Sequence, residues 1–281
     1  MTLYTVTPYV CSMHKIILSI CVVFITQCAV AQIETDRPNF TSSTNVLPKG
    51  ALQIETGFVL EKNKESVGGI RGPSTLTQRN LTVNTSLFRF GLTDKVELRL
   101  YTAVNSNQLL VESGLVIPDT TIKTSGFQTS FIGFKTNFYK SDKVSIGFLG
   151  HLYIPELASG DFANIAGQRI APEFLIPLTY DITDRFGIAV QYGLSWDGST
   201  PNPTTSYTLS LGYSITDKLS AYVEPYGFHN PYGETTHLVN GGFTYLINDD
   251  FQVDLTGGFG LNEAAPDNFI NCGASFLLFN K

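Results

Sequence analysis

One short pattern recurs five times along the chain: an aromatic residue, three residues, Asp, one residue, then an apolar residue. The copies are Phe90-Gly-Leu-Thr-Asp94-Lys-Val96, Phe138-Tyr-Lys-Ser-Asp142-Lys-Val144, Tyr180-Asp-Ile-Thr-Asp184-Arg-Phe186, Tyr213-Ser-Ile-Thr-Asp217-Lys-Leu219 and Tyr245-Leu-Ile-Asn-Asp249-Asp-Phe251. The residue before each Asp is Thr, Ser or Asn. Such short polar side chains bond their own backbone and favour tight turns. Alternating runs flank every copy, so each reads as a hairpin turn. If the aromatic and the apolar residue, six apart, are cross-strand partners, they share one face.

That register sorts the neighbouring residues. Around the third turn, Phe174, Ile176, Leu178 and Tyr180 share a face with Phe186, Ile188, Val190 and Tyr192. Opposite them stand Glu173, Thr179, Gly187, Ala189, Gln191 and Gly193, with Leu175 and Pro177 as exceptions. The fourth turn divides in the same way. One face is large and apolar; the other is small, polar or charged. A soluble sandwich would bury the apolar face. A membrane barrel turns it to lipid and the polar face to a lumen.

Three features favour the barrel. An aromatic residue stands beside every turn, as an interfacial girdle requires. Other connections are longer, at Lys62–Gln78, Ser106–Gly126 and Glu156–Arg169, which gives short turns on one side and long loops on the other. The strands approach the roughly 9–11 residues of a tilted membrane strand. The expected strands are 51–61, 79–90, 95–105, 127–139, 143–155, 170–180, 186–196, 205–214, 218–228, 238–247, 251–261 and 268–280. The expectation is an all-β, transmembrane, antiparallel up-and-down barrel of about 12 strands over 51–281, with both termini on the short-turn side. The second strand fits least well, because Leu81, Val83 and Leu87 fall on the lumen side. A bulge or a locally apolar lumen would accommodate them.

The N-terminal region places such a barrel in a bacterial cell. Met13-His14-Lys15 reads as a start and a weakly positive region, Ile16–Ile25 as a short apolar core, and Ala29-Val30-Ala31 as a cleavage site. Residues 1–31 are therefore expected to be a signal peptide, and the mature chain to start at Gln32. An apolar run of that length is too short to span a bilayer, which takes about 20 residues. Cleavage leaves only Cys272, so neither a disulfide within the chain nor a cysteine metal site is expected. The net charge of −6 drops to −7 with the loss of Lys15, which is no footprint for nucleic acid. The expected location is the outer membrane of a Gram-negative bacterium. The expected partners are outer-membrane lipid, a small-molecule solute and the outer-membrane assembly machinery. The closing Gly-Ala-Ser-Phe-Leu-Leu-Phe of residues 273–279 is like an assembly signal for that machinery.

Between the signal and the first strand lie residues 32–50, polar and mixed in charge, with prolines at Pro38 and Pro48 that oppose helix and strand alike. Glu34-Thr35-Asp36-Arg37-Pro38, then Leu47-Pro48-Lys49-Gly50, then Gln53-Ile54-Glu55-Thr56-Gly57-Phe58, resemble in this order the outer-membrane proteins grouped as "MetA-pathway of phenol degradation". Phe88–Leu100 shares the likeness, which runs over nearly the whole mature chain. The resemblance implies a transporter or channel, in some members linked to uptake of aromatic compounds. It implies no catalytic residues.

The lumen face gathers Glu55, Arg89, Glu97, Arg99, Lys135, His151, Glu173, Glu224 and Asp254 as pore-lining candidates, with Tyr101, Tyr153, Tyr222 and Tyr226. The register sets Arg89 opposite Glu97. Two readings stand: a solvated interior balancing its charges, or a polar, aromatic-lined path for a small solute. Residues 32–50 are either a mobile tail or a plug, with Glu34, Asp36 and Arg37 as the plug candidates. In a plug, Arg37 would pair with Glu97 or Asp254, and Asp36 with Arg89 or Arg99. Enzyme chemistry is not expected. No nucleophile–base set stands out around His151, His229 and His237, and neither cofactor nor metal is implied. The functional expectation is a channel for small aromatic or hydrophobic solutes; the alternative is a non-conducting structural or surface-interaction barrel.

Overall fold

The computed structural model describes residues 33–69, 72–113 and 120–279. The expected signal peptide lies outside them. The strands are β1 (Leu52–Gly69), β2 (Gly72–Thr93), β3 (Val96–Ser113), β4 (Thr120–Phe127), β5 (Ser130–Lys140), β6 (Val144–Ile154), β7 (Ala171–Asp181), β8 (Phe186–Ser195), β9 (Thr204–Ser214), β10 (Leu219–His229), β11 (Thr236–Asn248), β12 (Phe251–Gly260) and β13 (Asn268–Leu278). Each strand pairs antiparallel with its neighbour, and β1 pairs with both β2 and β13, which closes the sheet on itself. β4 and β5 both pair with β3, interrupted only at Gln128–Thr129. They are two lengths of one stave, so the barrel has twelve.

The burial pattern is inverted relative to a protein folded in water. Phe58, Leu100, Ile132, Ile176, Phe243 and Leu255 point outward and are 42–54% exposed. Gln53, Glu55, Arg89, Glu97, Lys135, Glu224 and Ser275 point inward and are at most 1% exposed. A continuous apolar exterior of this kind is unfavourable in water and suited to lipid. Phe90, Phe138, Tyr180, Tyr213 and Tyr245 are exposed beside the five short turns, at the level of an interfacial girdle.

The strands correct the sequence reading in three places. First, the turns close one pair earlier than expected. Ile182 and Thr183 donate their amides to the Phe186 carbonyl, and Ile215 and Thr216 to that of Leu219. The aromatic residue therefore faces the residue eight positions on, as in Phe90 with Leu98, Tyr180 with Ile188 and Tyr213 with Ala221. Six and eight are both even, so residues keep their faces wherever the ladder is unbroken, but Arg89 lies opposite Arg99 rather than Glu97. Second, the described residues of Lys62–Gln78 and of Ser106–Gly126 are strands rather than loops. They continue β1, β2, β3 and β4 past the width of a membrane. The sequence of this extension lacks the apolar–polar alternation that marks a strand. Glu156–Arg169 stays irregular apart from two short 3₁₀ helices, Pro155–Leu157 and Gly160–Asn164. Third, a bulge at Val83–Ser86, with Asn84 at φ 58°, shifts the β2 register. Leu81 and Val83 turn outward, opposite Leu60 and Val104, while Leu87 remains inside between Glu55 and Tyr101.

Candidate functional site

The inward face of β3, β5 and β6 forms three successive rows. Glu97 pairs with Lys135; Arg99, Gly133 and His151 follow; Tyr101, Phe131 and Tyr153 lie furthest from the short turns. The charged rows carry ionised groups out of water, and such groups need partners. Residues 33–50 supply them from inside the barrel.

The segment starts at the short-turn end, where the Ile33 amide bonds the Asp249 carbonyl and Ile33 packs with Leu47, Ala51, Leu246 and Leu277. The Asp36 carboxylate lies 2.5 Å from Arg99 Nη1, 2.9 Å from Lys135 Nζ and 3.8 Å from Arg89 Nε. Burial disfavours its charge, but Arg89, Lys135 and Arg99 outweigh burial and hold the carboxyl well below the usual range. Arg89 forks onto Glu97 at 2.8 and 2.9 Å and reaches Glu55 at 2.8 Å. The Arg89–Glu97 pair thus forms along the diagonal. Arg37 points the other way, to both oxygens of Asp254 at 3.2 Å and to Asn271 at 2.6 Å.

Beyond Arg37 the chain sweeps around the wall. Asn39 bonds Ser210 on β9, Phe40 and Thr41 bond Glu224 on β10, Ser42 bonds Gln191 on β8, and Thr44 meets Thr179 on β7 and Asn137 on β5. Leu47 then returns to Glu97, and a turn closed from the Ala51 amide to the Pro48 carbonyl leads into β1. Gly50 sits in this turn at φ +83°, a conformation that favours glycine. Three buried wall carboxylates accept backbone amides of this irregular chain: Glu55 from Asp36 and Arg37, Glu224 from Phe40 and Thr41, and Glu97 from Leu47. An irregular segment has no ladder partner for its amides, so side-chain acceptors take that place.

The sequence-derived residues are therefore distributed over three zones. Glu55, Arg89, Glu97, Arg99, Lys135 and Asp36 form one ionic cluster, and Arg37 with Asp254 lies beside it. Glu224 stands on another part of the wall, bonded to Asn240 and to residues 40–41. His151 and Glu173 pair at 2.7 Å, and Phe131 stacks on His151 at 4.0 Å. Glu34 bonds Ser43 and Asn45 and so closes the segment on itself. Arg37 does not meet Glu97. The register put Gln191, Thr208 and Ser210 on the polar face, but neither they nor Asn137 and Phe40 stood out as partners of the segment, because neutral side chains carry no pairing signal. Among the described residues, no group of three or more His, Cys, Asp or Glu is placed to hold a metal ion.

Residues 35–278 match the family model described as "Putative MetA-pathway of phenol degradation". The chain belongs to this family. No curated protein matches the sequence. Among solved structures, an outer-membrane channel from Pseudomonas putida F1 superposes with a TM-score of 0.63 at 13% identity, covering 86% of this chain and 100% of that one. The Pseudomonas putida toluene transporter TodX gives 0.47 at 12% identity, with 89% and 96% covered. The Ralstonia pickettii toluene transporter TbuX gives 0.45 at 9%, with 82% and 90% covered. This phenol-degradation family member is an outer-membrane β-barrel by its closed twelve-stave wall, its apolar exterior and its shared fold.

Proposed function

We propose that the chain is an outer-membrane channel for small aromatic or hydrophobic solutes, with residues 33–50 acting as a plug of its lumen. The reading is carried by the division of the interior along its axis. Toward the long-loop end the lumen is walled by rings: Tyr101, Phe131 and Tyr153 on one side, Tyr226 and Phe228 on the other, with Phe40 of the segment stacked on Tyr226 at 4.3 Å. Toward the short turns it is crossed by the segment and its ion pairs. Rings offer a planar solute stacking surface without demanding a specific hydrogen bond. In this reading Glu55, Arg89, Glu97, Arg99, Lys135, His151, Glu173, Glu224 and Asp254 line the passage. Glu34, Asp36 and Arg37 hold the plug. The related fold of the Pseudomonas putida F1 structure, described as an outer-membrane channel, supports the role. The ion-paired segment across the short-turn half of the lumen is the observation that favours a non-conducting barrel instead.

The test is flux of small aromatic solutes into liposomes holding the purified protein, with and without residues 34–43. The channel reading expects flux in the intact protein and more in the deletion. Impermeable liposomes in both cases would leave the structural barrel as the better account.

A further inference from the structure

The plug is not attached equally along its length. Asp36 and Arg37 are fixed by four ionised wall side chains: Arg99, Lys135, Arg89 and Asp254. Ser43 is tied back to this end, its amide on Asp36 and its carbonyl on Lys135. Between them, Asn39, Phe40, Thr41 and Ser42 carry no charge. They meet the wall of β8–β10 through the neutral Gln191, Thr208 and Ser210 and one carboxylate, Glu224. Hydrogen bonds with an ionised donor or acceptor are about twice as strong as neutral ones. All of the strap's bonds of this kind go to one carboxylate, Glu224, so a single wall residue holds it.

Open space borders the strap at its first residue, Asn39. Toward the short turns a cavity of about 320 Å³ lies between Arg37–Asn39 and the wall, and it reaches the turn at Thr183–Arg185. Most of its inward wall residues are small, namely Ala189, Ser210, Gly212, Ser220 and Thr244, with Tyr222 as the large one. A side chain added at Gly212 would meet nothing within 4 Å. On the other side of the strap lie Tyr226 and Phe228 and the ring-lined lumen.

We infer that the strap Asn39–Ser42 is the moving part of the plug. It parts the ring-lined lumen from this cavity and opens when it leaves its latch, Glu224, with Asp36–Arg37 as the fixed end. Solute then passes along β8–β10, and the ion-paired half of the plug stays in place. This rests on the channel reading.

A reversible lock tests it. The Thr41 and Thr208 hydroxyls are 2.5 Å apart, so Thr41→Cys with Thr208→Cys, made in a Cys272→Ser background, can be oxidised to tie the strap to β9. A second variant, Gly212→Trp, fills the cavity in the open space at that position. Flux of a small aromatic solute is measured for the oxidised and reduced double variant, for Gly212→Trp, and for the 34–43 deletion. The expectation is at least a tenfold loss on oxidation, recovered on reduction, and a similar loss in Gly212→Trp with unchanged heat-modifiable migration. Unchanged flux in Gly212→Trp, or in a double variant shown by mass to be cross-linked, overturns the strap while a conducting deletion variant upholds the channel. No flux from the parent or the deletion variant overturns both.

Discussion

At Asp36, burial and neighbouring charge act in opposite directions. Charge prevails because Arg89, Lys135 and Arg99 converge on one carboxylate. Asp36→Asn would leave these three cations short of an anion while keeping the side chain's size. Removing one partner of a buried ionic group costs about 3–5 kcal/mol. The variant is expected to release the segment, seen as protease cleavage near residue 40 under conditions where the parent resists. A segment equally protected in both would show that Asp36 does not hold it. The same residue sets a pH dependence. Its folded-state pKa is depressed, so its stabilisation is present above the unfolded value of about 3.9 and is lost as pH falls through the lower folded value. The segment should therefore remain docked through mildly acidic conditions and undock only below about pH 4, with protease cleavage at stepped pH as the readout. Release between pH 5 and 6 would assign the control to another group.

Between strands, the niche for Arg37 depends on two glycines. Gly57 on β1 and Gly273 on β13 are directly paired, and a side chain at either would overlap the Arg37 guanidinium. Gly273→Leu, whose close contacts are all with the Arg37 side chain, should displace Arg37 from Asp254 and raise solute leakage, while the β1–β13 ladder and the heat-modifiable migration persist. Leakage equal to the parent's would mean that Arg37 can dock elsewhere. This niche was not legible in the sequence, where a glycine in a strand looks the same whether it faces lipid, lumen or a plug. The faces themselves were legible, because a two-residue period assigns Glu55, Arg89, Glu97, Arg99 and Lys135 inward whatever the exact register. The register was not: an Asp-containing turn can close on either of two neighbouring pairs. The roles of Glu55 and Glu224 were also hidden. They accept backbone amides, which every residue has and no sequence pattern marks.

For the whole barrel, where a strand lies decides what its backbone needs. In hydrocarbon no water is present to bond an open edge, and each unsatisfied group costs several kcal/mol. β13 closes the wall between β12 and β1, so removing Asn268–Leu278 would leave two edges facing lipid. That deletion is expected to abolish the heat-modifiable folded form and the protein's recovery from outer membranes. The distal part of the β1–β2 ribbon is also a ladder, in which Lys64 faces Thr77. It lies past the roughly 9–11 residues a membrane strand needs, so water can satisfy what its removal exposes. Replacing Glu65–Leu76 with Asn-Gly, a pair suited to a two-residue hairpin, should keep both the migration shift and membrane recovery. The two deletions remove 11 and 10 residues of paired strand, so similar losses from both would mean that membrane position does not set the cost.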